Sequence, residues 1–350
     1  MGKYKFGVMT YRKDFDGEIN VGDYIQSIAA STFLEKVDYY LEREGLDNYN
    51  MPEPIRIILN GWFMHSPDNW PPSDVLMPLF ISFHITRYEY AALRMLSPAG
   101  IKYLKNHEPI GCRDYGTAKL LGKYGINAYF SGCLTLTLGR KYGTNVKTGN
   151  IYFVDVPVIG CREEKIKYLL KCIPKIAKHF SSVLRIYRKN KKSRRNIIYS
   201  FARACLFYCL YSGIFEKDVL IKAEYIKHSI DRETLESDRE CFEYAESLLK
   251  KYASAKLVVT SRLHCALPCL GMGTPVIFIN SEGLSGGRFD GLLELLRVFE
   301  LSSNGFETED DLLSKAGKIG FNTKIDNKKD FLKLREELER RCVEFIGLNT

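Results

Sequence analysis

Over the first 145 residues, short apolar runs alternate with segments whose apolar residues recur at helical spacing. The apolar runs predict buried strands at residues 5–10, 55–59, 79–84, 109–112 and 128–131. The helical spacing predicts helices at residues 24–44, 98–106 and 115–124. Such alternation is typical of a mostly parallel sheet with helices on both faces.

The same alternation resumes after residues 141–150, a polar stretch rich in Gly and Thr. Strands are predicted at residues 151–156, 219–228, 256–260 and 275–279. Helices are predicted at residues 163–179, 197–215, 233–252, 262–271 and 330–345. We place a domain boundary in the polar stretch, which gives α/β domains over residues 1–145 and 150–350.

Length and composition agree with two globular domains. The 350 residues are 45% hydrophobic and 27% charged, enough for two α/β cores of ordinary size. Ten cysteines and no signal-peptide pattern ahead of the first strand lead us to expect a reducing cytoplasm. No pair of Cys-x-x-Cys motifs occurs, so we expect neither a metal site nor a cofactor.

The net charge of +9 is concentrated in one basic run. Its members are Arg185, Arg188, Lys189, Lys191, Lys192, Arg194 and Arg195. Residues 197–215 follow and are mostly apolar and aromatic, interrupted by Arg203. This stretch falls short of a transmembrane span, which needs roughly 20 apolar residues.

Residues 185–215 therefore have two interpretations. Basic residues before an aromatic-rich helix suit peripheral contact with an anionic membrane. The alternative is a solvated loop followed by a buried helix. We expect no nucleic-acid partner, because no nucleic-acid motif accompanies the charge.

Arg262 and His264 occupy the most informative position in the chain. They follow the predicted strand at 256–260, and Ser261 is placed to cap the next helix. In open α/β sheets, ligands bind at the carboxyl ends of strands, where helix N-termini attract anions. An Arg and a His at that turn can hold an anion and move a proton. The structural alternatives are a salt bridge for Arg262 and a core histidine for His264.

Three short motifs resemble the polysaccharide pyruvyl transferase family. Residues 259–267 with 273–277 resemble its C-terminal signature, and residues 20–26 resemble its N-terminal Asn/Gly-Asp loop. Residues 111–114 resemble its central Arg-Asp motif. The motifs occur in the order that the family requires, so together they are fairly specific.

The resemblance implies a GT-B-like fold, with two Rossmann-like domains facing across a cleft. It also implies transfer of pyruvate from phosphoenolpyruvate onto two hydroxyls of a sugar, forming a cyclic ketal in capsular or exopolysaccharide biosynthesis. The N-terminal domain would bind the acceptor and the C-terminal domain the donor. We expect a polyprenyl-diphosphate-linked sugar acceptor and a cytoplasmic protein, peripheral on the inner face of the membrane.

The resemblance also assigns residue roles. His264 and Asp23 become the catalytic candidates, with acid and base left unassigned between them. For Asp23 the alternative is an N-cap of the helix from residue 24. The substrate-binding candidates are Arg262, Leu263, Ser261, Arg113, Asn20, Gly22 and Arg288. Gly22 would allow positive φ or close ligand approach, and Asp114 is expected to cap a helix.

One departure leaves other functions open. Where the family often has Gly-Asp after the Arg-Asp helix, this chain has Gly132-Cys133, and a thiol cannot replace a carboxylate as acceptor. The alternatives are a GT-B-like glycosyltransferase that uses a nucleotide sugar, or a non-catalytic carbohydrate-binding relative. The sequence carries no distinct nucleotide signature.

Overall fold

A parallel sheet of six strands forms the N-terminal half of the computed structural model. The structure describes residues 4–11, 17–86, 88–159, 162–190, 197–281, 289–302 and 305–347. With elements numbered in chain order, the strands are β1 Lys5–Thr10, β3 Tyr39–Glu42, β4 Ile55–Phe63, β5 Leu76–Ile85, β6 Ile110–Cys112 and β7 Ala128–Phe130. Their order is β3-β1-β4-β5-β6-β7. The helices of this half are α1 Val21–Ser31, α2 Glu89–Met95, α3 Pro98–Lys105, α4 Tyr115–Lys123 and α5 Gly139–Tyr142.

A second six-stranded sheet forms the C-terminal half. Its strands are β8 Ile151–Val154, β9 Glu224–Ile226, β11 Leu257–Thr260, β12 Val276–Ser281, β13 Val298–Ser302 and β14 Gly305–Glu307. The order is β14-β13-β12-β11-β8-β9, and only the β13–β14 pairing is antiparallel. The helices are α6 Arg162–Lys178, α7 Phe180–Asn190, α8 Ile197–Tyr211, α9 Lys217–Lys222, α10 Asp238–Ser254, α11 Leu263–Gly271, α12 Leu312–Ala316 and α13 Leu332–Ile346. The predicted α/β class with two parallel sheets is confirmed, and it is consistent with a GT-B-like arrangement.

Several elements tie the two halves together. A two-stranded ribbon pairs β2 Glu18–Asn20 with β10 Ser229–Asp231. The final helix α13 packs back on the N-terminal sheet, where Arg56 Nη1 donates to the Phe345 carbonyl at 2.8 Å. One hydrophobic core contains residues from both sheets and from α13. The domain boundary remains a prediction.

The packing of α11 fixes its distance from the N-terminal half. A Cβ on Gly271 would lie 2.2 Å from the Leu136 carbonyl oxygen, and one on Gly139 would lie 2.3 Å from the Gly271 oxygen. No side chain fits such an approach, so glycine at both positions lets the helix rest directly on residues 134–138. The helix that carries His264 is therefore held against the opposite half of the molecule.

Two predicted elements differ from the structure. The helix predicted at residues 24–44 ends at Ser31, and Tyr39–Glu42 instead forms the edge strand β3 beside β1. The strand predicted at 219–228 begins as α9 and becomes β9 only at Glu224. Helical spacing in a short window does not report whether a neighbouring strand offers backbone partners, and here pairing with β1 decides the outcome.

The basic run and the apolar stretch after it fold as helices. Arg185, Arg188 and Lys189 lie on α7, not in a loop, and the run's other members lie outside the described residues. The second half of α8 is buried in a separate core on the outer face of the C-terminal sheet. Its first residues are exposed, and contact with a membrane stays a prediction. Among the described residues, no helix is both long enough and apolar enough to cross a membrane.

Candidate functional site

Three segments that are distant in sequence meet where the two halves face each other. The first turn of α1 follows β2, Arg113 follows β6, and α11 follows β11. Because β6 and β11 are parallel strands, these turns lie at carboxyl edges, where α/β proteins bind ligands. The structure thus brings together residues from all three motifs that the sequence singled out.

Arg113 and His264 form the centre of this site. Arg113 Nη1 lies 3.5 Å from His264 Nε2, although the residues are 151 positions apart. Arg113 is only 4% exposed, and its Nε has no hydrogen-bond partner among the described residues. A buried guanidinium is costly unless an anion accompanies it. The position is therefore suited to an anionic ligand that contacts both side chains.

The carboxylate next to Arg113 is engaged elsewhere. Asp114 Oδ2 lies 2.5 Å from His84 Nδ1, and its Oδ1 accepts from the Thr117 backbone N–H at 2.8 Å. Burial alone raises the pKa of Asp114, but the hydrogen bond and charge of His84 outweigh it and hold that pKa below its ordinary value. Asp114 therefore caps α4, as predicted, and anchors the turn that carries Arg113.

Gly22 is the point where α1 touches His264. An added Cβ would lie 3.0 Å from both Cβ and Nδ1 of His264, closer than ordinary van der Waals contact. The backbone of Gly22 is helical and its φ is not positive. Of the two reasons predicted for this glycine, backbone freedom is thus wrong, and the close approach that the structure shows is by a histidine side chain.

Asn20, rather than Asp23, caps α1. Asn20 Oδ1 accepts from the Gly22 N–H at 3.1 Å, and its Nδ2 donates to Asp23 Oδ2 at 3.1 Å. Asp23 lies in the first turn and is 7% exposed. The capping alternative for Asp23 is therefore wrong, and its carboxylate is a buried acceptor adjacent in sequence to the Gly22–His264 contact.

Two buried amide side chains, those of Gln26 and Asn60, extend this acceptor group, and sequence reasoning gave Gln26 no role of its own. Gln26 Nε2 donates to Asp23 Oδ1 at 3.0 Å, and Asn60 Nδ2 donates to the backbone carbonyl of Gln26 at 3.0 Å. Their oxygens, Gln26 Oε1 and Asn60 Oδ1, are buried without a partner among the described residues. Such acceptors suit ligand hydroxyl groups. The available signal was a polar residue, Asn60, directly after the apolar run at 55–59.

Arg262 points away from His264 toward the edge of the C-terminal sheet. Its Nε lies 3.0 Å from Asp155 Oδ2, and its Nη2 donates to Ser229 Oγ at 3.2 Å. The side chain is 42% exposed, so this cation remains accessible. Arg262 is also the N-cap residue of α11, a position predicted for Ser261.

Asp155 is a site residue that the sequence analysis missed. It follows β8 directly, as Arg262 nearly follows β11, and that shared position was the available signal. Its φ of 46° lies in the left-handed region, which is strained for a residue with a side chain. The surrounding contacts hold it there, since its Oδ2 also accepts from the His228 N–H at 3.0 Å. Asp155 thereby orients the Arg262 guanidinium.

The remaining predicted residues take different positions. Ser261 Oγ donates to the Asp155 carbonyl at 2.7 Å and so fixes the turn. The Leu263 side chain is buried in the core. Arg288 lies outside the described residues. The substrate-binding roles of all three stay predictions.

Cys133, the departure from the family pattern, is also buried. Its Sγ lies 3.2 Å from Thr135 Oγ1, and 1% of the residue is exposed. Burial raises the pKa of this thiol, so it stays neutral and is no nucleophile at ordinary pH.

Two cavities differ in their fit to an anion. One of about 430 Å³ lies beside Arg262, between β8, β9 and α8. A larger one of about 1050 Å³ lies beside β13 and β14, and its walls carry Glu300, Glu307 and Glu309. Clustered carboxylates repel an anionic substrate, and none of the predicted site residues lines the larger cavity.

The sequence profile described as polysaccharide pyruvyl transferase matches residues 20–283, about three quarters of the sequence. The match includes Asn20, Gly22, Arg113 and His264, the residues that the fold brings together. No curated protein sequence matches the chain. On the family profile and the three converging motifs, the chain belongs to the polysaccharide pyruvyl transferase family.

Proposed function

We propose that this protein transfers pyruvate from phosphoenolpyruvate to two hydroxyls of one sugar, giving a cyclic ketal and free phosphate. The product would be a building block of a capsular or secreted polysaccharide. The observation that carries the proposal is the buried guanidinium of Arg113, which lies beside His264 and has an Nε without a hydrogen-bond partner among the described residues. That pair combines a fixed positive charge with a group able to carry a proton near neutral pH.

The donor demands such a site. Phosphoenolpyruvate has a phosphate and a carboxylate, and both bind best to guanidinium groups and oriented N–H groups. Arg113 would supply one buried cation, and Arg262, the accessible N-cap residue of α11, would supply a second. Positive charge here also stabilises the phosphate as it leaves.

The bond changes require an acid and a base. A proton is added to the terminal carbon of the donor, and the first sugar hydroxyl attacks the adjacent carbon. The bond from that carbon to the phosphate oxygen then breaks, and the second hydroxyl attacks the same carbon to close the ketal. Two hydroxyl protons are lost and one is gained by carbon, so the other leaves with phosphate or solvent. His264 and Asp23 are the groups to which we assign these transfers.

The acceptor is proposed to be attached to a lipid, so that the protein works at the membrane surface. Residues 162–211 carry fourteen Lys and Arg residues against two Glu, a formal charge of +12 in a chain whose total is +9. The rest of the sequence is therefore slightly acidic. Such an asymmetric charge attracts an anionic membrane toward one face of the protein.

Exposed apolar side chains lie among these basic residues. Ile166, Leu170 and Ile173 are spaced along one face of α6 and are all exposed. Others lie at the starts of α7 and α8: Phe180, Ile197, Ile198 and Tyr199. A basic surface with apolar residues at its centre is typical of peripheral contact with the lipid headgroup region. We call α6 and the starts of α7 and α8 the basic helical face.

The direct test is phosphate release from phosphoenolpyruvate with lipid-linked galactose, glucose and mannosamine acceptors. Release should depend on the acceptor and fall at least a hundredfold in Arg113→Gln and His264→Ala, since each removes charge or proton transfer. Arg239→Gln is the matched control, because Arg239 lies on α10 with 86% of its side chain exposed.

Two outcomes would overturn the proposal. One is acceptor-dependent release that survives both substitutions. The other is no release with any acceptor; a rise in melting temperature with UDP or GDP, but not with phosphoenolpyruvate, would then favour a nucleotide-sugar glycosyltransferase.

A further inference from the structure

The cavity beside Arg262 has a cationic rim. Arg203, Lys227 and Arg262 line it, together with Asp155, the carboxylate partner of Arg262. Arg203 Nη2 donates to the Val156 carbonyl at 3.0 Å, and no carboxylate is paired with this guanidinium among the described residues. Arg203 is also the one charged residue of α8, whose other members are mostly apolar and buried. Arg203 itself is exposed, so its guanidinium is accessible to a ligand in the cavity.

The walls of the cavity are aromatic. The rings of Phe153, Phe207 and Tyr225 lie 5.4 to 5.6 Å from one another, measured between centroids, and form its inner side. A volume of about 430 Å³ accommodates a group the size of a small organic ligand. The cavity thus combines apolar packing surface with guanidinium and ammonium groups at its edge.

The cavity reaches two surfaces that the proposed function uses. It is lined by Arg262, the N-cap residue of α11, the helix that carries His264. It is also lined by Tyr199, which is 58% exposed and follows the exposed Ile197 and Ile198. A molecule bound in the cavity would therefore contact both Arg262 and the start of α8, which belongs to the basic helical face.

We infer that this cavity binds the diphosphate of a sugar carried on a polyisoprenoid lipid, an assignment that rests on the proposed function. Arg203 and Lys227 hold the diphosphate, because guanidinium and ammonium groups pair with its oxygens. The sugar lies toward Arg262, and the first isoprene units lie toward Tyr199. A nucleotide sugar also contains a diphosphate, but it would place a polar ribose and base where the exposed side chains are apolar.

The inference separates two anion sites, and separate ligands can probe them. Melting temperature is measured for the full chain with farnesyl diphosphate, with UDP and with phosphoenolpyruvate. The variants are Arg203→Gln, Lys227→Gln and Arg113→Gln, with Arg239→Gln as control. The dissociation constant for farnesyl diphosphate should rise about tenfold in either cavity variant, which corresponds to about 1.4 kcal/mol. The stabilisation by phosphoenolpyruvate should be lost only in Arg113→Gln.

The outcomes distinguish this inference from the proposed function. Farnesyl diphosphate binding that persists in both cavity variants, or that disappears only in Arg113→Gln, would overturn the cavity assignment. Stabilisation by UDP but not by farnesyl diphosphate would show that the cavity takes the diphosphate of a nucleotide and not that of a lipid. Farnesyl diphosphate binding that depends on Arg203, in a protein that releases no phosphate with any acceptor, would leave the cavity standing and refute the pyruvyl transfer.

Discussion

Replacing Gly22 with Ala tests whether α1 and His264 meet as closely as the structure shows. The added Cβ would lie 3.0 Å from His264 Cβ and Nδ1, and 3.1 Å from Asn20 Oδ1. Ordinary contacts begin near 3.4 Å, so the histidine or the helix must move by about 0.4 Å. Because α11 rests on the backbone of residues 134–138, it has little room to retreat.

Two opposing energies decide the effect on stability. Alanine in place of glycine within a helix gains about 1 kcal/mol. Overpacking a closed contact costs about 1–3 kcal/mol, so the Gly22→Ala protein should be equally stable or up to about 2 kcal/mol less stable. Misplacing a catalytic group by 1 Å costs about a hundredfold in rate, and a shift near 0.4 Å should lower kcat about tenfold.

Gly122→Ala is the matched control, because Gly122 lies in α4 and its added Cβ meets nothing within 4 Å. Its stability should rise by about 1 kcal/mol, from the higher helix propensity of alanine alone, and its kcat should stay unchanged. The measurements are urea unfolding and phosphate release at saturating substrate. If Gly22→Ala gains as much stability as Gly122→Ala and turns over at the parent rate, the contact between α1 and His264 is not as described.

Three other predictions concern burial and charge. The pKa of Asp114 is lower in the folded protein than in the unfolded chain. The stability that this carboxylate contributes is therefore present above the unfolded pKa of about 4, and it is lost as the pH falls through the folded pKa. Asp114→Asn should thus cost about 1–3 kcal/mol at pH 7 and less near pH 3 by urea unfolding, and an equal cost at both would contradict the His84 pairing. Cys133→Ser should keep most activity, whereas complete loss with an unchanged melting temperature would point to thiol chemistry. Replacing three exposed lysines of α6 together by Gln should lower the affinity for anionic liposomes, measured by co-sedimentation, roughly 150-fold, at about 1 kcal/mol per lysine. The three are Lys167, Lys171 and Lys178. Unchanged sedimentation, or the same loss in a control set, would refute the basic helical face as the contact. The control set is Lys315, Lys324 and Lys329.

The sequence alone predicted the α/β class and most strands, because buried parallel strands are continuous apolar runs. It also placed a candidate site at the carboxyl ends of those strands, which stays a prediction. Arg262 and Arg113 were singled out because each follows a predicted strand, and because their motifs occur in the order that the family requires. Asp114 as a cap was equally local, since a cap depends on three neighbouring residues.

The tertiary structure decided which of those residues meet. That His264 lies against Gly22 and Arg113, while Arg262 turns to Asp155, depends on how α11 rests on the other half of the molecule. The edge strand β3, the missed residues Asp155 and Gln26, and the buried amide of Asn60 are likewise set by long-range partners. Local sequence fixes backbone preference and periodicity within a few residues, whereas contacts across about 150 positions arise only when separate elements pack together.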